Sequence, residues 1–246
     1  MHRFFIDKKY IGDAQVSFPD DITHQIQHVL RLREGDQVLV LDNTGRQYSV
    51  LINQLTTKNL KGEILSSNMS ESESPIQLHL FISLTQREKF EWILQKCTEI
   101  GVTAFHPFTS SRSLVKISSV NSDKLNRWRK IIKEAAEQSE RGIIPELYEV
   151  ERFESLITQV SPEFEPKYLA WEEAQVNNLL QPPRLESSKF SKMALFIGPE
   201  GGFANDEVMM AQDQGFLIIS LGRRILRVET AAIVASTLVL HAFNEI

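Results

Sequence analysis

Two short apolar runs near the C-terminus, Met193–Ile197 and Phe216–Leu221, each break at a glycine loop that leads into helical patterning. Apolar runs of this length, bounded by glycine, read as strands buried on both faces, the pattern of a parallel sheet. Repeating strand, loop and helix restricts this part of the chain to an α/β architecture with crossover helices. The first loop is Ile197-Gly198-Pro199-Glu200-Gly201-Gly202-Phe203, and the second is Leu221-Gly222-Arg223-Arg224-Ile225-Leu226-Arg227-Val228-Glu229. Glycine carries no Cβ, so a ligand can approach its backbone closely. Open α/β sheets bind small molecules at the carboxyl ends of their strands. The pattern predicts both loops there, side by side on neighbouring strands.

Neither loop holds the Lys-Ser/Thr pair of a triphosphate-binding P-loop, and neither is a G-x-G-x-x-G dinucleotide turn. What remains is a pocket of backbone amides and aliphatic side chains, Ile197, Leu221, Ile225 and Leu226, edged by Glu200, Arg227 and Glu229. That chemistry suits a flat heterocycle joined to a polar tail, as in S-adenosylmethionine. Taken singly, each loop is better described as an ordinary βα turn, since short glycine motifs are weak signals.

The preceding residues continue the alternation. Ile76–Leu84, Val102–Phe108 and Lys167–Trp171 read as strands, and Glu88–Ile100 as a helix stopped by Gly101. Asp123–Ser139 reads as a helix with an apolar stripe of Leu125, Trp128, Ile132 and Ala135. Thr230–Asn244 is apolar on nearly all sides and needs more than one covering neighbour. Gln181–Lys192, with its prolines and serines, reads as a loop. Near the N-terminus, Arg3–Ile6, Gln37–Leu41, Arg46–Ile52 and Lys61–Leu65 are β-patterned, with Asp42-Asn43-Thr44-Gly45 as a hairpin turn. Ile22–Leu30 reads as a short helix capped from Asp20 or Asp21. The expectation is a small β-barrel in residues 1–70, the Ser-rich Ser66–Pro75 as linker, and an α/β domain in residues 75–246.

A net charge of −5 by itself argues against nucleic acid, but the distribution of that charge points the other way. Residues 73–145 carry 11 basic and 8 acidic groups, while residues 146–246 carry 8 and 15. On the Asp123–Ser139 helix, Lys124, Arg127 and Lys130 form an i, i+3 row opposite the apolar stripe. Such a row is either a solvated face or a surface for phosphates, and a local patch matters more than the total. The one cysteine, Cys97, excludes an internal disulfide and fits a reducing cytoplasm; its apolar helical neighbours mark it as a packing residue. No basic-plus-apolar leader is present, and Ala231–Phe243 is too short and interrupted to span a bilayer, so no membrane association is expected. His24 and His28 stand at i, i+4 without a third residue at ligand spacing, so no metal is expected. There is no G-x-S-x-G elbow for a serine nucleophile.

Taken together, GPEGGF followed by Leu221-Gly222 and Ile225-Leu226-Arg227 with Glu229-Thr230-Ala231 resembles the RNA uridine-N3 methyltransferases of the SPOUT superfamily that modify 16S ribosomal RNA. Further blocks carry the same resemblance: His28 to Arg33 with Gly35-Asp36, Gln95 to Val102, Ser111-Arg112-Ser113, and Glu134 to Ser139 with Arg141 and Pro145. The likeness covers nearly the whole chain. It implies a parallel-sheet domain tied in a deep trefoil knot, a preceding PUA-like RNA-binding barrel, and a homodimer. It further implies S-adenosylmethionine as cofactor and a uridine N3 of small-subunit ribosomal RNA as target.

Uridine N3 holds a proton and is a poor nucleophile until that proton leaves, so a base or a cation stabilising the uridine anion is required. Arg227 is the first candidate for the cation, since it stays charged and offers a fork of donors. Glu229 and Glu200 are candidate bases, and Glu229 serves equally well as a helix cap. Trp171 and Glu172 are candidates for a third wall of the cofactor pocket beside Ile197 to Gly202, Leu221, Gly222, Ile225 and Leu226. For RNA, the resemblance and the charge pattern single out Arg3, Arg31, Arg33, Arg112, Lys124, Arg127, Lys130, Gln138 and Arg141. The chain departs from the family pattern at Arg223, Val228, Gln86 and Glu140, the last replacing a usual glycine. It also departs at Ala204, where Asn205 is expected to take over the helix cap.

Overall fold

The computed structural model describes residues 1–56, 59–160, 162–174, 192–243 and 245–246. They group into two compact units, residues 1–73 with 136–144, and residues 74–135 with 145–246. The expected Gln181–Lys192 loop lies outside the described residues, except for Lys192 itself. None of the described helices is long and apolar enough to cross a membrane.

In the first unit the elements are β1 (Arg3–Phe5), β2 (Gln15–Ser17), α1 (Asp20–His24), β3 (Gln37–Leu41), β4 (Arg46–Leu55) and β5 (Leu60–Met69). The strands form one sheet in the order β1-β3-β4-β5-β2, with β1 parallel to β3 and the other pairs antiparallel. Alternate residues Val38, Val40, Val50 and Ile52 point inward against Phe4, Val16, Ile22 and Ile26. The hairpin turn forms as expected, with Asn43 and Gly45 at φ 63° and 86°.

Two expectations need correction here. β5 runs through the first half of the Ser-rich stretch, where Ser66, Ser67, Asn68 and Met69 pair with Ser49 to Arg46. The ladder satisfies backbone groups and needs no apolar side chains, so a polar sequence extends the strand. The expected single helix is α1 followed by a π-helical turn over Gln25–Val29, and its N-cap is Pro19. Asp20 and Asp21 lie inside the first turn, where their charges complement the helix dipole.

Residues 136–144 are fastened to this unit by side-chain-to-backbone bonds. Ala136 and Ile144 pack with Phe5 and Leu41. Glu73 accepts the Arg141 guanidinium at 2.8 Å and the backbone N–H groups of Gly142 and Ile143 at 2.8 and 3.1 Å. The Ile144 N–H donates to Asn43 Oδ1 at 2.7 Å. Glu140 sits at φ 62°, the left-handed region that favours glycine, which accounts for glycine being usual there.

In the second unit the elements are β6 (Gln77–Ser83), α2 (Arg87–Ile100), β7 (Ala104–Thr109), α3 (Ser122–Gln138), β8 (Glu146–Leu147), β9 (Glu151–Arg152), α4 (Phe153–Gln159), β10 (Phe164–Ala170), β11 (Lys192–Ile197), α5 (Asn205–Asp213), β12 (Leu217–Ile219) and α6 (Val228–Ala242). The last turn of α3 belongs to the first unit. The sheet runs β12-β10-β11-β6-β7-β8, with β9 also on β7, and every pair is parallel. Its central strands are apolar on both faces, as a sheet covered by helices requires. One face carries a cluster of Phe81, Phe108, Phe153, Phe196 and Phe203. Helix α6 packs on α2, β6 and β11, the several neighbours its all-round apolarity demanded. Helix α2 ends at Gly101 at φ 119°, and Cys97 within it is fully buried, which pushes its thiol up to about 12.

Candidate active site

Strand order corrects the expected placement of the two glycine loops. β11 and β12 are not neighbours; β10 lies between them. Since all three are parallel, their carboxyl ends share one side of the sheet, and the turn after β10 joins the two loops there. The three segments surround a cavity of about 560 Å³, within the range of small-molecule sites.

The residues predicted for this site mostly line it. Ile197, Gly198, Pro199, Glu200 and Gly202 form one wall, Trp171 and Glu172 a second, and Leu221, Gly222, Ile225, Leu226, Arg227 and Glu229 the third. Gly201 does not line the cavity. Its backbone lies under Arg112, whose Cβ is 3.1 Å from where a Gly201 side chain would start. Gly202, at φ 68°, abuts the Glu172 carboxylate, which any side chain there would displace. Gly222, at φ 114°, has open space around it. Ile225 borders the cavity yet is 84% exposed, a large apolar side chain left in solvent.

The carboxylates and the arginine differ in their commitments. Glu200 is held by Lys89 of α2 at 3.4 Å, a lining residue that nothing in the sequence pattern signals. Glu229 is 6% exposed, and its Oε2 is buried without a hydrogen-bond partner among the described residues. Helix α6 begins at Val228, so Glu229 lies in the first turn, and the N-cap position falls to Arg227. The buried indole Nε1 of Trp171 is likewise unpartnered among the described residues. Buried polar groups are normally satisfied, and these two orphans both belong to residues that line the cavity. The Arg227 side chain is exposed and makes no hydrogen bond or ion pair among the described residues.

The residues predicted to meet RNA fall into two sets. Arg31, Arg33, Lys130 and Gln138 are exposed, whereas Lys124 is half-buried with its ammonium over the Trp128 ring. Arg31 stands at φ 55° just after the π-helical turn. Arg127 is held by Glu91 through two bonds of 2.7 and 2.8 Å, and Arg3 donates to Gln47 and pairs with Glu140. Arg141 is 4% exposed, its guanidinium on Glu73, which corrects its reading as a surface contact. Arg112 is exposed and donates to the carbonyls of Gly201 and Phe203. Asn205 is the first residue of α5 and not its cap; Glu207 reaches back to the Ala204 N–H at 2.8 Å instead.

Residues 72–240 match the family model of the RNA methyltransferase domain, and residues 18–65 that of the RNA methyltransferase PUA domain. A Bacillus subtilis protein named ribosomal RNA small subunit methyltransferase E is 34% identical over 242 residues, spanning 96% of this chain and 94% of its own. The chain belongs to the ribosomal RNA small subunit methyltransferase E family. A Synechocystis methyltransferase E is 35% identical, over 95% of this chain and 75% of its own. The crystal structure of a Neisseria gonorrhoeae methyltransferase E bound to S-adenosyl methionine matches with a TM-score of 0.85 at 27% identity, covering 98% of this chain and 97% of that one. A Legionella pneumophila structure with bound cofactor SAM matches at 0.81 and 30%, covering 98% and 97%. The α/β unit is thus the SPOUT methyltransferase fold, and the first unit is the PUA-like domain of a methyltransferase E.

Proposed function

We propose that this methyltransferase E uses S-adenosylmethionine to methylate N3 of a uridine in small-subunit ribosomal RNA, in the cytoplasm. The carrying observation is the cavity at the ends of β10, β11 and β12, with Glu229 Oε2 and Trp171 Nε1 buried and unpartnered in its walls among the described residues. S-adenosylmethionine fits that donor set. Ile197, Leu221 and Leu226 would flank its heterocycle, and backbone amides, Trp171 and the carboxylates would meet its polar groups. When bound, it supplies a methyl group made electrophilic by a sulfonium.

The chain's own residues have two tasks, aligning the uracil and managing its N3 proton. Glu229 is the better base, since Glu200 is engaged by Lys89 while Glu229 Oε2 has no hydrogen-bond partner among the described residues. Arg227, unpaired among the described residues at the cavity edge, would stabilise charge developing on a uracil carbonyl. RNA contacts are assigned to Arg31 and Arg33 in the first unit and to Lys124 and Lys130 in the second. The exposed apolar side chains Trp92, Ile225 and Leu238 support a homodimer, which light scattering on the purified chain would test.

The deciding experiment incubates the protein and S-adenosylmethionine with small ribosomal subunits lacking the modification, followed by nucleoside mass spectrometry. N3-methyluridine that depends on both protein and cofactor is the expected product. A different methylated nucleoside would overturn the target, and none at all, with subunits still bound, would make the chain an RNA-binding factor.

A further inference from the structure

Two side chains cross between the loop after β7 and the glycine loop after β11, in opposite directions. Glu207 is 3% exposed, and each of its carboxylate oxygens accepts a backbone N–H from a different loop. One takes Ser111 N–H at 2.9 Å, the other Ala204 N–H at 2.8 Å. The second bond is half of a capping box for α5, where Ala204 offers no side-chain oxygen. The first bond does nothing for the helix; it reaches across 96 positions of sequence. Arg112, next to Ser111, donates through Nη1 to the carbonyls of Gly201 at 3.1 Å and Phe203 at 3.3 Å. Its loop is itself anchored, since Ser113 Oγ accepts the Ser110 N–H at 2.8 Å and lies 3.0 Å from Ser83 Oγ at the end of β6.

We infer that Glu207 and Arg112 are positioning residues, which hold the Gly198–Phe203 loop in its ligand-binding shape by clamping it to the loop after β7. Neither lines the cavity, so both act through the backbone they grip. Arg112 does this by placing one guanidinium N–H between two carbonyls, which a lysine ammonium on a flexible stem does not reproduce. The same lysine would keep the positive charge that an RNA phosphate needs, so Arg112→Lys separates the two roles. The inference rests on reading the cavity as the S-adenosylmethionine site.

The test is amide hydrogen exchange on the full chain without cofactor, paired with calorimetric titration of S-adenosylmethionine, for wild type, Arg112→Lys and Glu207→Gln. Glu207→Gln should speed exchange at Ser111 and Ala204. Arg112→Lys should speed it at Gly202, whose N–H donates to the Pro199 carbonyl within the same loop. Each variant should weaken cofactor binding about tenfold, the equivalent of one charge-assisted hydrogen bond. If Glu207→Gln melts below the assay temperature, Arg112→Lys, which leaves the α5 cap untouched, decides. Unchanged exchange in the folded variants, or wild-type affinity in Arg112→Lys, would overturn the clamp. A wild type that binds no S-adenosylmethionine, with exchange still faster in the variants, would overturn the cavity reading and leave the clamp standing.

Discussion

Glu73 and Arg141 form an ion pair at 2.8 Å with both side chains largely removed from water. The pair closes a circuit in which the same carboxylate also takes the N–H groups of Gly142 and Ile143, so it fixes a backbone turn as well as a charge. An arginine so held contributes to the shape of the first unit and not to a surface that RNA can reach.

Glu73→Ala should destabilise the protein by about 3 kcal/mol, because it leaves a buried guanidinium without its carboxylate. Glu73→Ala/Arg141→Met should recover part of that loss. Urea unfolding of the three proteins measures both, and equal midpoints for wild type and Glu73→Ala would show the pair to be dispensable.

Glu140→Gly should stabilise by about 1 kcal/mol, since glycine adopts a positive φ without the Cβ penalty. The ion pair to Arg3 that this removes involves a glutamate side chain 72% exposed, and exposed pairs contribute little. A melting temperature that falls would refute the strain argument.

Gly202→Ala and Gly222→Ala should separate crowding from strain. Both glycines have positive φ, yet only at Gly202 would the new methyl collide, with the Glu172 carboxylate. Gly202→Ala should therefore displace the Glu172 carboxylate and weaken S-adenosylmethionine binding, while Gly222→Ala lowers stability by about 1 kcal/mol and retains binding. Equal binding loss in a titration of the two variants would contradict this.

Arg227→Ala should reduce turnover by about a hundredfold or more, the scale of removing a donor aimed at developing charge. Cofactor affinity and thermal stability should be unchanged, because the side chain is exposed and unpaired among the described residues. A variant of near-normal rate would remove Arg227 from the catalytic role.

A stack of rings crosses the sheet from Phe196 through Phe81 and His106 to Tyr148, with neighbouring centroids 4.1 to 4.2 Å apart. His79 Nδ1 lies 2.9 Å from His106 Nε2. Burial, with Lys192 adding to it and Glu163 opposing, brings His79 down to about 4. Burial, then the neighbouring His79, brings His106 to about 3. Both are neutral in the folded state at neutral pH, whereas in the unfolded chain they bind protons near the ordinary 6.5. Their contribution to stability is therefore full above pH 6.5 and is lost as pH falls from there toward 4 and 3. His79→Leu/His106→Phe should flatten that decline, which denaturation at about pH 7 and about pH 5 would measure. A decline identical to wild type would place its cause in other groups.

Much of this fold is local information. β6 and β11 lie within a residue of the apolar runs that predicted them, and the α2 stop is written in Gly101. The cavity walls follow from the same logic, because a strand's end locates its loop. Non-local facts were out of reach. Nothing in residues 164–170 says that β10 enters between β11 and β12, and α4, at seven residues, is too short to display a period. Arg141 looked like an RNA contact because an arginine's partner, here Glu73, is invisible along the chain. The same holds for Glu207 and Lys89.

The chain contributes to its first unit twice, once through residues 1–73 and again through 136–144. A gene fragment ending at residue 73 would encode a sheet with Phe5 and Leu41 stripped of Ala136 and Ile144, and with Glu73 stripped of its arginine. The RNA-binding module is therefore not a cassette that recombination or an engineer can lift out at one cut. Grafting it elsewhere means carrying both segments.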